Sequence, residues 1–192
     1  MPESMPASSP IHQSTFFMMR ATSLPLAGGD RGGAVALKTL VLGLGNTILT
    51  DDGVGIYVVR EVAARCMQDD VTFAEASVGG LRLLDVIAGY ERIIMVDAIQ
   101  TRDGEPGDIY HLHSGDLRAS LHSGSTHDLS LPGALALGRG MGMALAEDES
   151  ILIIAIEVKD VLTFGETCTL AVAAAIPRAV EAVLDELEGE GR

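Results

Sequence analysis

The sequence predicts an α/β fold, in which a twisted, mostly parallel sheet of about five strands is the middle of three layers and helices cover both its faces. Two observations predict this. Short apolar runs alternate along the chain with longer stretches in which apolar residues recur at helical spacing. Several of the runs are also apolar at successive positions, which is typical of parallel strands that helices cover on both sides.

The first strand is predicted at residues 40–44, where a run of Leu and Val ends at glycines that let the backbone turn sharply. A helix is predicted to follow at residues 54–67. Its apolar face repeats at helical spacing through Val54, Val58, Val59 and Val62. The sheet is therefore expected to begin with a strand, a short loop and a helix.

The loop between these two elements is polar. Asn46 is expected to hold it closed through its side-chain amide, and Gly53 to open the helix. Asp51 and Asp52 are adjacent carboxylates, of which Asp51 is expected to brace the amides of Gly53 and Val54. Because ligands of open α/β sheets collect at the carboxyl ends of the strands, this loop is a candidate site.

The middle of the chain brings a further acid to the same edge. A second strand is predicted at residues 71–76 from its alternating pattern, and a short helix at residues 81–88 after Gly80. The third strand, residues 92–96, is apolar on both faces and is expected to end at Asp97.

The last third of the chain completes the sheet. A strand at residues 108–113 is expected to lie antiparallel at an edge, because too few residues separate it from the third strand for a helical crossover. An apolar-rich helix is predicted at residues 129–143, and the last buried strand at residues 150–158. The final helix, residues 167–187, contains Pro177, which marks a kink or the start of a new helix.

Both chain ends are predicted to lie outside the fold. Residues 1–37 are rich in Ser, Pro, Gly and Ala, and cannot bury enough apolar surface to offset the entropy cost of ordering, so they are predicted to form a disordered tail. Residues 38–188 are long enough for one two-sided sheet core and are predicted to form a single domain. Residues 189–192 are expected to fray.

Charge and cysteine content restrict the partners and the compartment. Lys and Arg number 13 against 27 Asp and Glu, and the resulting net charge of −14 argues against nucleic acid or an anionic membrane as a partner. We see neither a secretory signal nor an apolar run long enough to span a bilayer. Cys66 and Cys168 are far apart, which fits a reducing compartment. We therefore expect a cytoplasmic protein with room for a basic or neutral protein partner. We also expect the protein to be a monomer.

Three polar side chains form the candidate site, namely Asp52, Asp97 and His127, which stands at the head of a predicted helix. Consecutive parallel strands often lie side by side, so Asp52 and Asp97 are expected to come within metal-ligand distance of each other. Two carboxylates and an imidazole suit Zn²⁺ or Ni²⁺ and leave coordination positions open. Taken singly, each of the three has an ordinary alternative as a helix cap or a polar loop residue.

The other histidines offer weaker alternatives. His111 and His113 are spaced to share one face of a predicted edge strand, where solvent-facing histidines are commoner than metal-binding pairs. His122 precedes His127 by five residues in a polar loop, and is a second candidate for the third ligand.

Residues 43–46 read Gly-Leu-Gly-Asn, and residues 50–55 read Thr-Asp-Asp-Gly-Val-Gly. This pattern resembles the opening signature of the hydrogenase maturation proteases, the endopeptidases that trim the C-terminal extension from the large subunit of nickel–iron hydrogenases. The similarity runs from residue 40 to about residue 187. It implies a phosphorylase/hydrolase-like fold of three layers for this chain.

The resemblance extends to the candidate residues one by one. Asp52 stands where the family has a metal-ligand acid, often Glu, and Asp97 is the Asp of the Asp-Ala that closes the third strand. His127 matches the family's helix-start histidine, and Gly80 matches a glycine of its second loop. The long segment at residues 1–37 departs from the family, whose members usually begin close to the first strand.

The resemblance implies an aspartic-type endopeptidase that cuts the large-subunit precursor after nickel insertion. The nickel of that precursor would be a recognition mark for Asp52, Asp97 and His127. Whether the enzyme also holds a divalent metal of its own stays open. The group that activates the water also stays open. Either Asp52 or Asp97 could take the proton of the water, or a metal could lower the pKa of the water.

Three other functions are alternatives to the protease function, and each would be recognised by a different feature. A non-catalytic nickel-binding accessory protein would share the candidate ligands but would leave the precursor uncut. Peptidyl-tRNA hydrolases begin with a similar Gly-x-Gly-Asn, yet their later motifs are missing here and the acidic charge suits tRNA poorly. A dinucleotide-binding loop would need glycine where Ile48 stands.

Overall fold

The computed structural model describes residues 38–116 and 131–189. Within these two stretches the strands are β1 (Thr39–Leu44), β2 (Val71–Ala76), β3 (Arg92–Ile99), β4 (Ile109–His113) and β5 (Ile151–Glu157). The α-helices are α1 (Val54–Arg65), α2 (Leu81–Ile87), α3 (Leu131–Gly140) and α4 (Leu170–Glu188). Short 3₁₀-helices cover Thr50–Gly53 and Asp148–Ser150.

The five strands form one sheet in the order β2-β1-β3-β5-β4. β1 pairs in parallel with β2 and β3, and β3 pairs in parallel with β5. β4 pairs with β5 in antiparallel orientation at the edge. The predicted fold class and the antiparallel edge strand are therefore confirmed.

Helices cover both faces of the sheet. The valines of α1 pack with the apolar side of α4 against one face, in a cluster that includes Val58, Val62 and Val180. α2 and α3 pack against the other face, around Leu84, Leu135 and Met95. Because β1, β3 and β5 are buried on both sides, their continuous apolar runs follow from this three-layer arrangement.

The start of α1 lies very close to the sheet. A Cβ atom at Gly55 would overlap the carbonyl oxygens of Val96 and Leu44, so only glycine lets the helix begin directly above β1 and β3. This close approach fixes the preceding turn, Thr50–Gly53, at the C-terminal edge of the two strands.

Several predicted boundaries are corrected. β3 continues to Ile99, since its pairing with β5 extends to the partners Ile99 and Glu157, and Asp97 therefore lies inside the strand rather than after it. α1 ends at Arg65 because the backbone of Cys66 is extended.

α4 runs through Pro177 as one helix, so no new helix starts there. No helix in the described parts of the chain has the length and apolar character to cross a membrane. The predictions for residues 1–37, for residues 190–192 and for the start of the third helix at 129–130 fall outside the described residues.

Candidate active site

A cavity of about 850 Å³ opens at the C-terminal edge of β1 and β3. Its wall comes from the loop after β1, the turn before α2, the end of β3 and the middle of β5. The lining includes Asn46, Asp52, Gly80, Arg82, Asp97 and Ile153. The cavity thus lies where the carboxyl ends of parallel strands create binding sites in open α/β sheets.

Asp52 reaches the cavity from the 3₁₀-helix Thr50–Gly53, and its side chain is half-buried. Burial raises the pKa of this carboxyl, while a hydrogen bond from the backbone of Asn46 opposes the rise. The loop that carries Asp52 is closed as predicted, because the side-chain Oδ1 of Asn46 accepts a hydrogen bond from the amide of Ile48 at 3.2 Å.

Asp97 enters the same cavity from β3. Burial raises the pKa of its carboxyl to about 7, a hydrogen bond from the amide of Ala98 opposes the rise, and the nearby charge of Asp52 adds to it. That amide donates to Oδ1 of Asp97 at 2.8 Å and fixes the orientation of the carboxyl group. A carboxyl with a pKa near neutrality exchanges a proton readily at the pH of a cell, as a general acid or base must.

The two carboxyl groups therefore share one cavity, and the charge of Asp52 raises the pKa of Asp97. They come together because β1 and β3 are neighbours in the sheet. These two strands are not consecutive along the chain, since β2 comes between them in sequence but lies on the outer side of β1. Carboxylate oxygens bind divalent cations, so this pair could supply part of a metal site.

The third predicted ligand, His127, lies outside the described residues, and so does its alternative His122. Among the residues that are described, no group of three His, Cys, Asp or Glu side chains is arranged to hold a metal ion. His111 and His113 are exposed on the edge strand β4, in agreement with the solvent-facing interpretation. The described part of the chain therefore supplies two of the three predicted ligands.

Asp51 has a different role from the predicted one. Its side chain is 0% exposed and accepts hydrogen bonds from the amide of Thr169 at 2.7 Å, the hydroxyl of Thr169 at 3.1 Å and the amide of Asp160 at 3.2 Å. The amide of Val54 bonds instead to the main-chain carbonyl of Asp51. The carboxylate thus fastens the loop after β5 to the loop that carries Asp52.

The sequence prediction missed Asp160 and Thr169, which lie 109 and 118 residues from Asp51. Neither residue stands in a recognisable motif, so no local signal in the sequence could have indicated the contact. The supporting glycines are placed as predicted. Gly53 precedes α1, and Gly80 precedes α2 with a φ of 59° while lining the cavity.

Replacing Asp51 with Ala is expected to lower the free energy of unfolding by about 3 kcal/mol, because buried donors that bonded to a carboxylate lose their acceptor. Urea denaturation measures this. Asp69→Ala is the matched control, since Asp69 is exposed, and it should change stability by less than about 0.5 kcal/mol. Equal stability of the Asp51→Ala variant and the wild type would show that the fastening contributes little.

The chain is similar to known proteins in both sequence and structure. The family model for hydrogenase maturation protease of the HycI type matches residues 56–186. The chain is 31% identical over 108 residues to hydrogenase 2 maturation protease of Escherichia coli strain K12, covering 55% of this chain and 66% of that protein. It is 27% identical over 159 residues to the hydrogenase expression/formation protein HupD of Rhizobium leguminosarum bv. viciae, covering 81% of this chain and 77% of that protein.

Solved structures show the same similarity over most of the chain. The hydrogenase maturating endopeptidase HybD from E. coli superposes with a TM-score of 0.69 at 28% identity, covering 81% of this chain and 94% of that structure. The [NiFe] hydrogenase maturation protease HybD from Thermococcus kodakarensis gives a TM-score of 0.56 at 27% identity, covering 79% and 99%.

Proposed function

Because this chain belongs to the hydrogenase maturation protease family, we propose that it cuts the precursor of a nickel–iron hydrogenase large subunit and releases its C-terminal extension. The observation that carries the proposal is the pair of carboxyl groups, Asp52 and Asp97, in one cavity at the edge of the sheet. We assign the reaction to the cytoplasm, in keeping with the two free cysteines, and to a monomer.

The nickel of the precursor is the recognition mark in this proposal. Carboxylate and imidazole groups are suitable ligands for Ni²⁺. In this proposal Asp52 and Asp97 offer carboxylates from the lining of the cavity, and His127 supplies the imidazole. Contact with the nickel would hold the adjacent peptide segment in place, so that selection of loaded precursor and positioning of the scissile bond are one event.

Hydrolysis then requires an activated water. We assign its proton to Asp97, whose carboxyl group lines the cavity and, in the protein without metal, has a pKa raised by burial to about 7. Water attacks the carbonyl carbon as its proton moves to the carboxylate, and the carboxyl later gives a proton to the departing amine. This assignment makes the enzyme an aspartic-type endopeptidase. If the enzyme holds a divalent ion of its own at Asp52, Asp97 and His127, that ion would add polarisation of the carbonyl and a lower pKa of the water.

Thiol chemistry is a poor alternative at this place. Burial raises the pKa of Cys168 to about 11, and the charge of Asp51 adds to the effect, so the thiol stays protonated at neutral pH. The carboxyl groups are the better candidates for proton transfer.

The test is incubation of the purified protein with a nickel-loaded large-subunit precursor, followed by intact-mass measurement. Loss of the C-terminal peptide is expected, and a precursor prepared without nickel should keep its mass. A large subunit that already lacks the extension is the control. If the loaded precursor binds but keeps its full length, the protein is a nickel-binding accessory factor and the proposed protease activity is wrong.

Replacing His127 with Ala is expected to slow processing by about 10- to 100-fold, because a lost ligand or ligand support weakens nickel-dependent recognition. Initial rates at several precursor concentrations measure the effect. His122→Ala is the matched control and should process normally. If the two variants show the reverse pattern, His122 is the imidazole ligand, and normal rates in both would remove histidine from the site.

A further inference from the structure

Exposed apolar side chains stand on the loop after β1, which lines the cavity, and on the loop after β5, which is hydrogen-bonded to it. Ile48 is 52% exposed, Leu162 is 83% exposed and Phe164 is 80% exposed. We call these three residues the apolar rim. Large apolar side chains at this exposure are individually ordinary, but a group of them next to a functional cavity marks an interaction surface.

The apolar rim has a fixed backbone. Phe164 forms an isolated antiparallel bridge with Leu49. The amide of Thr50 donates to the carbonyl of Thr163 at 3.0 Å, and the amide of Gly165 donates to the carbonyl of Ile48 at 3.1 Å. Two loops, one after β1 and one after β5, are therefore joined by main-chain hydrogen bonds.

Side chains anchor the loop after β5 as well. The carboxylate of Asp160 accepts hydrogen bonds from the amides of Leu162 at 3.2 Å and Thr163 at 2.9 Å. The hydroxyl of Tyr57 donates to the carbonyl of Glu166 at 2.9 Å. Together with the buried carboxylate of Asp51, these contacts order the loop before any partner arrives, which reduces the entropy cost of binding.

The apolar rim is continuous with the cavity. Ile48 and Leu49 line the cavity that contains Asp52 and Asp97. Because Phe164 is bridged to Leu49, its backbone lies about 5 Å from the lining, the usual distance between paired strands. A folded protein that inserts a peptide segment into the cavity would also cover Phe164.

We propose that the apolar rim is a docking surface for the folded body of the large-subunit precursor, outside the segment that is cut. This inference rests on the proposed function. It assigns to the precursor an apolar surface patch next to its C-terminal segment, which would bury Phe164 and Leu162 on binding. A peptide confined to the cavity would leave both side chains in water.

The experiment compares the double variant Leu162→Ser/Phe164→Ser with the wild type in processing of nickel-loaded precursor. Since both side chains are exposed, the variant should keep the wild-type unfolding midpoint. KM for the precursor is expected to rise at least about tenfold with kcat changed less than about twofold, because lost docking contacts weaken binding without touching the reacting groups. The single variant Phe164→Ser should show a smaller rise in KM. It replaces the double variant in this test if the double variant is unstable.

Met67→Ser is the matched control. Met67 is 90% exposed and follows the end of α1, which starts at the cavity edge and leads to the opposite end of the sheet. This variant should have the KM of the wild type.

A wild-type KM in a rim variant that processes the precursor overturns the docking proposal and leaves the proposed function standing. A wild-type protein that cuts no loaded precursor refutes the proposed function, and the docking proposal with it. Sedimentation analysis adds a further outcome. If the wild type is a dimer that the double variant dissociates, a second copy covers the apolar rim and the proposal is wrong.

Discussion

Replacing Asp97 with Asn is expected to abolish precursor processing while the fold persists. Asparagine has the same shape and its side-chain oxygen can still accept the hydrogen bond from the amide of Ala98. It cannot take a proton from water or give a negative charge to nickel. Loss of a positioned acid–base group alone costs about 10²- to 10⁴-fold, so we expect a rate at least about 1,000-fold lower when a nickel ligand is lost too.

The measurement is the single-turnover rate of precursor shortening, with circular dichroism of the variant as the check on folding. Asp85→Asn is the matched control, because Asp85 is an exposed carboxylate on the neighbouring helix α2 and should process normally. Normal processing by a well-folded Asp97→Asn variant would remove Asp97 from the active site. The reaction would then have to depend on Asp52 or on a bound ion.

The sheet and the edge that carries the candidate site could be predicted from the sequence. Runs such as Leu40 to Leu44 and Ile151 to Ile156 are apolar at successive positions because helices cover these strands on both faces. Such a run can be recognised in the sequence without knowing which helices cover it. The common edge of Asp52 and Asp97 could be predicted because parallel strands present their carboxyl ends at one edge of the sheet. The direct pairing of β1 with β3 could not be predicted from strand order, since β2 comes between them along the chain and lies outside β1 in the sheet.

Features set by distant partners could not be predicted. β3 extends beyond its apolar run because β5 pairs with it as far as Ile99, so the polar Asp97 is part of a strand. The sequence alone predicts that the carboxylate of Asp51 accepts hydrogen bonds from the nearest helix amides, because this is the commonest role of such a residue. Its actual donors come from the loop after β5, and only the folded chain shows that this loop lies there.

The same Asp97→Asn substitution is expected to stabilise the metal-free protein at alkaline pH, by up to about 4 kcal/mol. The pKa of Asp97 is about 7 in the folded state against 3.8 for the unperturbed group. Each unit of difference corresponds to about 1.4 kcal/mol, and three units give the stated upper value. Because the folded state binds this proton more tightly than the unfolded state, ionisation of Asp97 opposes folding.

The direction of the pKa shift determines the pH range in which the two proteins differ in stability. Below pH 3.8 the carboxyl group of Asp97 is protonated in both the folded and the unfolded state, so it does not destabilise the fold. The destabilisation by the ionised carboxylate grows between pH 3.8 and about 7 and reaches its full value above that pH. The difference in unfolding free energy between Asp97→Asn and wild type should therefore be near zero at about pH 3.5 and largest at about pH 8. Urea denaturation with a chelator present measures it, since a bound cation would stabilise the ionised wild type and hide the effect.

Asp85→Asn again provides the control, because the side chain of Asp85 is exposed and this variant should differ from wild type by less than about 0.5 kcal/mol at either pH. An Asp97→Asn variant no more stable than wild type at about pH 8 would mean that Asp97 ionises with an ordinary pKa. The assignment of the water's proton to Asp97 would then lose its support. The opposite result, a more stable and inactive variant, would show that the fold accepts a destabilising carboxylate at this edge because the reaction needs it.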